Sequence, residues 1–112
     1  MWAIFEKYSQ TSDAPKSKVL PISLKQNRKL VFKKILSYVE EEEYDDILPN
    51  QDFYEIYFCD KDFEITVTIF DEGAYGSTIN ISVYLETKRG KSRKKLKEIR
   101  QIIVSLFEES DK

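Results

Sequence analysis

Two stretches of this chain alternate apolar and polar residues without a slip. In FEITVTIF (63–70), Phe63, Ile65, Val67 and Ile69 fall on one side and Glu64, Thr66 and Thr68 on the other. In STINISVYLE (77–86), Ile79, Ile81, Val83 and Leu85 oppose Asn80, Ser82, Tyr84 and Glu86. Successive side chains of a strand point to opposite faces, so a period of two gives each strand one dry face and one wet face. Strands of this kind belong to antiparallel sheets, since strands buried on both sides read as unbroken apolar runs. FYEIYFC (53–59) is a third candidate, joined to the next strand by the tight Asp60-Lys61-Asp62. DEGAYG (71–76) supplies two glycines for a longer hairpin loop. Trp2–Tyr8 is short and aromatic, and would add a fourth strand at an edge.

A sheet with one dry face needs a cover, and two segments have helical periodicity. Leu24, Val31, Ile35, Tyr38 and Val39 recur at helical spacing, flanked by Phe32 and Leu36, with Lys29 and Lys33 outward. Ser23 followed by Gln26 fits a capping box, so the first helix is expected near 23–42, with Pro49 in the loop beyond it. Leu96, Ile99, Ile103 and Leu106, joined by Ile102 and Phe107, form a second apolar stripe after Gly90, and Ser92 is placed to cap it. The expected fold is α+β: an antiparallel sheet of three strands, or four with the edge piece, in the order (β)-α-β-β-β-α. Both helices cover one face, because neither has another surface to bury against. A chain of 112 residues makes this a single domain, 1–112.

Charge is sorted along the chain. Residues 16–34 hold seven Lys/Arg and no acid, residues 40–72 hold thirteen acids and one lysine, and residues 88–100 hold eight bases and one acid. The run EEEEYDD (40–46) falls at the expected end of the first helix, and KRGKSRKKLK (88–97) at the start of the second. Both placements oppose the helix macrodipole, at about 0.3–1 kcal/mol per terminal charge in low salt. With three strands between them, short connections make the two helices parallel, so acids gather at one tip of the molecule and bases at the other. A crossover in 43–52 would instead make them antiparallel and let the runs compensate each other.

The search for catalytic groups is mostly negative. There is no histidine, which removes the commonest general base and imidazole metal ligand. Cys59 is alone, so no intrachain disulfide forms and the reducing cytoplasm is the expected location. GAYG (73–76) is a hairpin turn, without the glycine spacing of a phosphate loop. Asp60 with Asp62, or Asp45 with Asp46, lacks the ligand spacing of an EF-hand loop. The chain is expected to be neither an enzyme nor a holder of cofactor or metal. No apolar run reaches the ~18 residues of a membrane span, and MWAIFEKYSQ breaks any signal-peptide core with an acid and a lysine.

The order α-β-β-β-α, together with GKSRKKLK (90–97), resembles the double-stranded-RNA-binding domain. That family opens its last helix with a serine and basic residues that grip phosphates; Ser92, Arg93, Lys94 and Lys97 match those places, with Leu96 at the small apolar one. Where the family carries Gly-Pro and a histidine between its first two strands, this chain has Asp60-Lys61-Asp62. Isoleucines replace the alanines inside its last helix. The resemblance implies nucleic-acid binding through Lys88, Arg89, Arg93, Lys94, Lys95 and Lys97.

The residues themselves point first to a non-enzymatic protein-binding domain of the inhibitor or immunity type, with a basic partner such as a nuclease. Glu40, Glu41, Glu42, Glu43, Asp45, Asp46, Asp71 and Glu72 would steer that partner, with Tyr44 and Tyr84 as contact residues. Nucleic-acid binding is the alternative. A regulatory homodimer through the open sheet face (Tyr57, Thr66, Thr68, Phe70, Ser82, Tyr84) is a third reading, and the sequence leaves the oligomeric state open.

Overall fold

The computed structural model describes residues 8–10, 20–73, 76–85 and 91–110 of the chain. Along it run β1 (Tyr8–Gln10), β2 (Ile22–Leu24), α1 (Arg28–Glu41), β3 (Asp45–Asn50), β4 (Glu55–Asp60), β5 (Phe63–Asp71), β6 (Ser77–Leu85) and α2 (Lys91–Ser110). The fold is α+β, with one antiparallel sheet ordered β1-β6-β5-β4-β3 and β2 also paired to β6. β1 faces Ser82–Tyr84 and β2 faces Ser77–Ile79, so these two pieces lie end to end on one edge. The sheet is therefore five strands wide. Of the expected edge strand at Trp2–Tyr8, only Tyr8 lies within the described residues.

Alternation sorts the sheet as the period of two demands. Ile56, Phe58, Ile65, Val67, Ile69, Ile79, Ile81 and Val83 are buried, while Tyr57, Glu64, Thr66, Thr68, Asn80, Ser82 and Tyr84 are half-exposed on the other face. Against the dry face α1 sends Val31, Phe32, Ile35 and Val39, and α2 sends Leu96, Ile99, Ile103 and Phe107. Each such side chain contributes roughly 1.5–3 kcal/mol by leaving water. α1 lies over β3, β4 and β5, and α2 over β6 and β1, so the helices share one face.

Three expectations need correction. First, α1 begins at Arg28: Ser23 sits exposed in β2, and Asn27 is the true cap, its Oδ1 accepting from Lys29 N at 2.8 Å. Second, residues 45–50, expected as loop around Pro49, form the edge strand β3. Its register slips between Asp45 and Leu48, where one extra residue makes a bulge and Asp46 adopts φ +52°. Third, that additional strand puts four antiparallel strands between the helices instead of three, which reverses α2 relative to α1. The two helices run antiparallel, and the strand order implied by the resemblance is not the one the chain adopts.

Candidate functional site

The antiparallel arrangement brings both charge runs to the same end of the molecule. Asp45 pairs with Cys59, Cys59 with Glu64 and Glu64 with Tyr84, one row across the sheet. The C-terminus of α1 enters that row at β3, and Lys95, near the start of α2, is ion-paired to Asp60 one residue beyond Cys59. At the opposite end, Lys25, Arg28 and Lys29 at the start of α1 share space with Asp71 and Glu72 at the end of β5, seven residues from Glu64 and roughly 24 Å away. Each end thus holds both signs, and separate acidic and basic tips do not form.

Compensation is nevertheless incomplete. Among the described residues the ion pairs are Lys95 to Asp60 and Lys95 to Glu98. Glu40, Glu41, Glu42, Glu43, Asp45 and Asp46 are all exposed and take part in neither pair. α2 packs over β6 and β1, and from it Lys95 reaches Asp60 at the end of β4, one strand short of the acids on β3. From residue 40 to residue 55 the chain carries eight carboxylates and no basic residue.

The turn that places these acids is held tightly. Glu43 N donates to Glu40 O at 3.1 Å and Tyr44 N to Val39 O at 3.4 Å, the two bonds of a Schellman ending. That ending needs a left-handed residue, and Glu43 supplies it at φ +56°. Tyr44 then turns inward. Its ring packs 4.8 Å from Phe58 and 6.1 Å from Tyr38, and its hydroxyl lies 3.4 Å from that of Tyr38. Burial first, then the Tyr38 hydroxyl, push the Tyr44 phenol well above the ordinary tyrosine range. Tyr44 thus spends most of its ring on packing against Phe58 and Tyr38.

Exposed apolar side chains lie toward the other end of β3. Leu48 and Phe53 are exposed to 63% and 70%, among the most exposed large apolar side chains described. Phe53, expected inside a strand, lies instead in the β3–β4 turn, where Asn50 Oδ1 accepts from Asp52 N at 3.1 Å and Phe53 N at 3.3 Å. Tyr54 closes this turn at φ +51°, fixed by the Phe32 ring at 5.6 Å and by the Arg28 guanidinium 4.1 Å above its own ring. Sequence reasoning missed Leu48 and Phe53; the signal was Asn50-Gln51-Asp52, a turn-forming run that separates Phe53 from the strand after it.

The remaining candidates are dispersed. Tyr84 shares the transverse row of Asp45 but is three strands away, roughly 14 Å. On the open face Tyr57 Oη donates to Glu64 Oε1 at 2.9 Å and accepts from Cys59 Sγ at 3.3 Å. The Cys59 thiol first, and then Glu64, raise the Tyr57 phenol above its usual value. In the basic run, Arg93 is half-exposed, Lys94 and Lys97 are exposed, and Lys95 is engaged by its two carboxylates. Burial alone would lower the Lys95 ammonium pKa, but Asp60 and then Glu98 overcome it and hold the group above the ordinary lysine value. Lys88, Arg89 and the side chain of Ser92 lie outside the described residues. No described helix is long and apolar enough to cross a membrane. Among the described residues no group of three or more acids and cysteines is gathered as a metal would need. No family model, curated protein or solved structure matches the chain, which leaves the chemistry of the β3 edge to point to a role.

Proposed function

We propose that this chain is a non-enzymatic protein-binding domain, of the inhibitor type, that meets a basic partner along the β3 edge. The observation that carries the reading is the company the acids keep. Six exposed carboxylates, at positions 40–43, 45 and 46, run without an ion-pair partner among the described residues into β3, which carries exposed Leu48 and is followed in its turn by exposed Phe53. A merely solvated charge run has no use for the apolar pair. An interface uses both: long-range attraction raises the encounter rate, and apolar anchors supply the short-range contact. A partner that normally binds phosphate, such as a nuclease, would find its cationic site occluded by this row of carboxylates.

Recognition by side chains, and not by strand addition, fits the edge itself. Pro49 opposes Ile56 and has no N–H to offer outward, while the bulge at Asp46 twists the strand away from a regular ladder. Two copies joined through this edge would also set like charges against each other, which disfavours a homodimer there.

The test is capture of proteins from the source cells by the wild type, by Glu41→Lys/Glu42→Lys and by Lys94→Glu/Lys97→Glu. The reading requires a basic protein lost with the first double variant and kept with the second. An unchanged set of captured proteins would overturn it. Titration with duplex RNA at two salt concentrations addresses the alternative, since several phosphate contacts make affinity fall steeply as salt rises; absence of binding at low salt is expected.

A further inference from the structure

The β3–β4 hairpin encloses an open concavity of about 500 Å³, lined among others by Leu48, Pro49, Asp52, Glu55 and Tyr57. Its chemistry is unusually one-sided. It has two carboxylates and no cation, an aromatic ring, and an aliphatic wall of Leu48 and Pro49. We infer that this concavity is a receptor for one arginine side chain of an extended basic segment. The inference rests on the basic-partner reading above and names the group that would be held.

The match is to an amphipathic cation rather than to a bare ion. An arginine carries a three-carbon stem that lies on apolar surface and a planar head that pairs with carboxylates and stacks on rings. Leu48 stands opposite Tyr57 in the β3–β4 register, so the two flank one hollow on the open sheet face. Glu55 is partly engaged, Oε2 accepting from Thr68 Oγ1 at 3.3 Å, which steadies the carboxylate and leaves Oε1 for a guanidinium. The Tyr57 ring is tethered in turn by its bonds to Glu64 and Cys59, so the stacking surface is fixed before the guest arrives. Asn50 spends its side-chain oxygen closing the turn and thereby sets the position of Asp52 at the rim. A metal ion would find no such use for the apolar wall, and an anion would be repelled by both acids.

The probe is the tripeptide acetyl-Gly-Arg-Gly-amide, with lysine and citrulline analogues, titrated into the full-length chain and followed by backbone amide NMR. Shifts centred on residues 48–57 are expected, with arginine strongest and citrulline weakest. Asp52→Asn and Glu55→Gln should each weaken arginine binding roughly three- to fivefold, the range of a partly exposed charge pair. Glu41→Lys/Glu42→Lys should change it less than about twofold, because those residues lie at the other end of β3. Equal shifts with citrulline, shifts centred elsewhere, or indifference to both hairpin variants would overturn the inference. The same spectra report whether each variant is folded. Docking at the hairpin combined with capture that ignores Glu41 and Glu42 keeps this pocket and sinks the acidic-edge reading. The reverse result keeps that reading and removes the pocket.

Discussion

β5 and β3 belong to one sheet and obey opposite rules. β5 buries Ile65, Val67 and Ile69 to 1% exposure or less, pairs on both sides, and follows its register without interruption. β3 buries none of its residues, pairs on one side, and is broken by a bulge. Among the described residues, three of the four non-glycine positions at positive φ, Glu43, Asp46 and Tyr54, fall within β3 or the turns at its ends. In the centre, pattern, propensity and burial agree; at the edge they conflict, and the residues there add little to the core.

The sharpest way to break this contrast is by truncation. Ile81→Ala at a fully buried position of β6, or Ile65→Ala in β5, should lose about 2–5 kcal/mol of unfolding free energy in urea, because the cavity cannot collapse between two layers. Leu48→Ala, at 63% exposure, should lose under about 0.5 kcal/mol. Comparable losses at the two sites would show that β3 is part of the stabilising core and end the distinction.

A smaller effect separates the charges that the fold uses from those it leaves free. Asp60 and Lys95 retain only 23% and 12% of side-chain exposure, and Asp60→Ala leaves the ammonium with Glu98 alone, itself 54% exposed. A loss of about 1–2 kcal/mol is expected there, against less than about 0.5 kcal/mol for Asp45→Ala at the β3 edge. Equal losses would mean that the acidic edge is held internally.

Alkaline pH probes the same boundary. Lys95, Tyr44 and Tyr57 all have folded pKa values above their ordinary ones, so folding favours the protonated form of each. Their contribution is complete below the unfolded values, near pH 10, and is lost as pH rises through the folded values. Stability should therefore decline above about pH 10. In an ultraviolet tyrosinate titration Tyr44 and Tyr57 should ionise late, above the ordinary tyrosine value, and Tyr44→Phe should remove part of that late phase. A single phase near the ordinary tyrosine value would contradict the packing of Tyr44 against Phe58.

What could be read from the sequence follows the same division. The alternating strands and both helix stripes are legible because burial imposes a period, and the dry faces of β4 to β6 appear where the pattern puts them. The start of α1 is less so: Ser23 and Gln26 have capping-box spacing, but Ile22 and Leu24 pair with β6 and the cap passes to Asn27. β3 is illegible for a physical reason, since acids and Pro49 are what protects an exposed edge from pairing with strangers, and they read as loop. Missing that strand inverted the helix pair, because direction depends on strand parity. The acidic run was visible as charge, but its apolar company was not, since Phe53 looked like the first residue of a strand.

The smallest predicted effect is the most pointed. Glu43 holds the left-handed place in the ending of α1, where glycine is the residue of least strain. Left-handed backbone costs an ordinary residue about 1–2 kcal/mol, and glycine returns part of that gain as greater unfolded-state entropy. Glu43→Gly should therefore stabilise the chain by about 0.5–1 kcal/mol in urea unfolding while also relieving charge at the negative end of the helix. On the proposed reading the same variant binds a basic partner less well, because one carboxylate is gone from the edge. A gain in stability with unchanged binding would show Glu43 to be dispensable there, and a loss of stability would show that its side chain serves the turn.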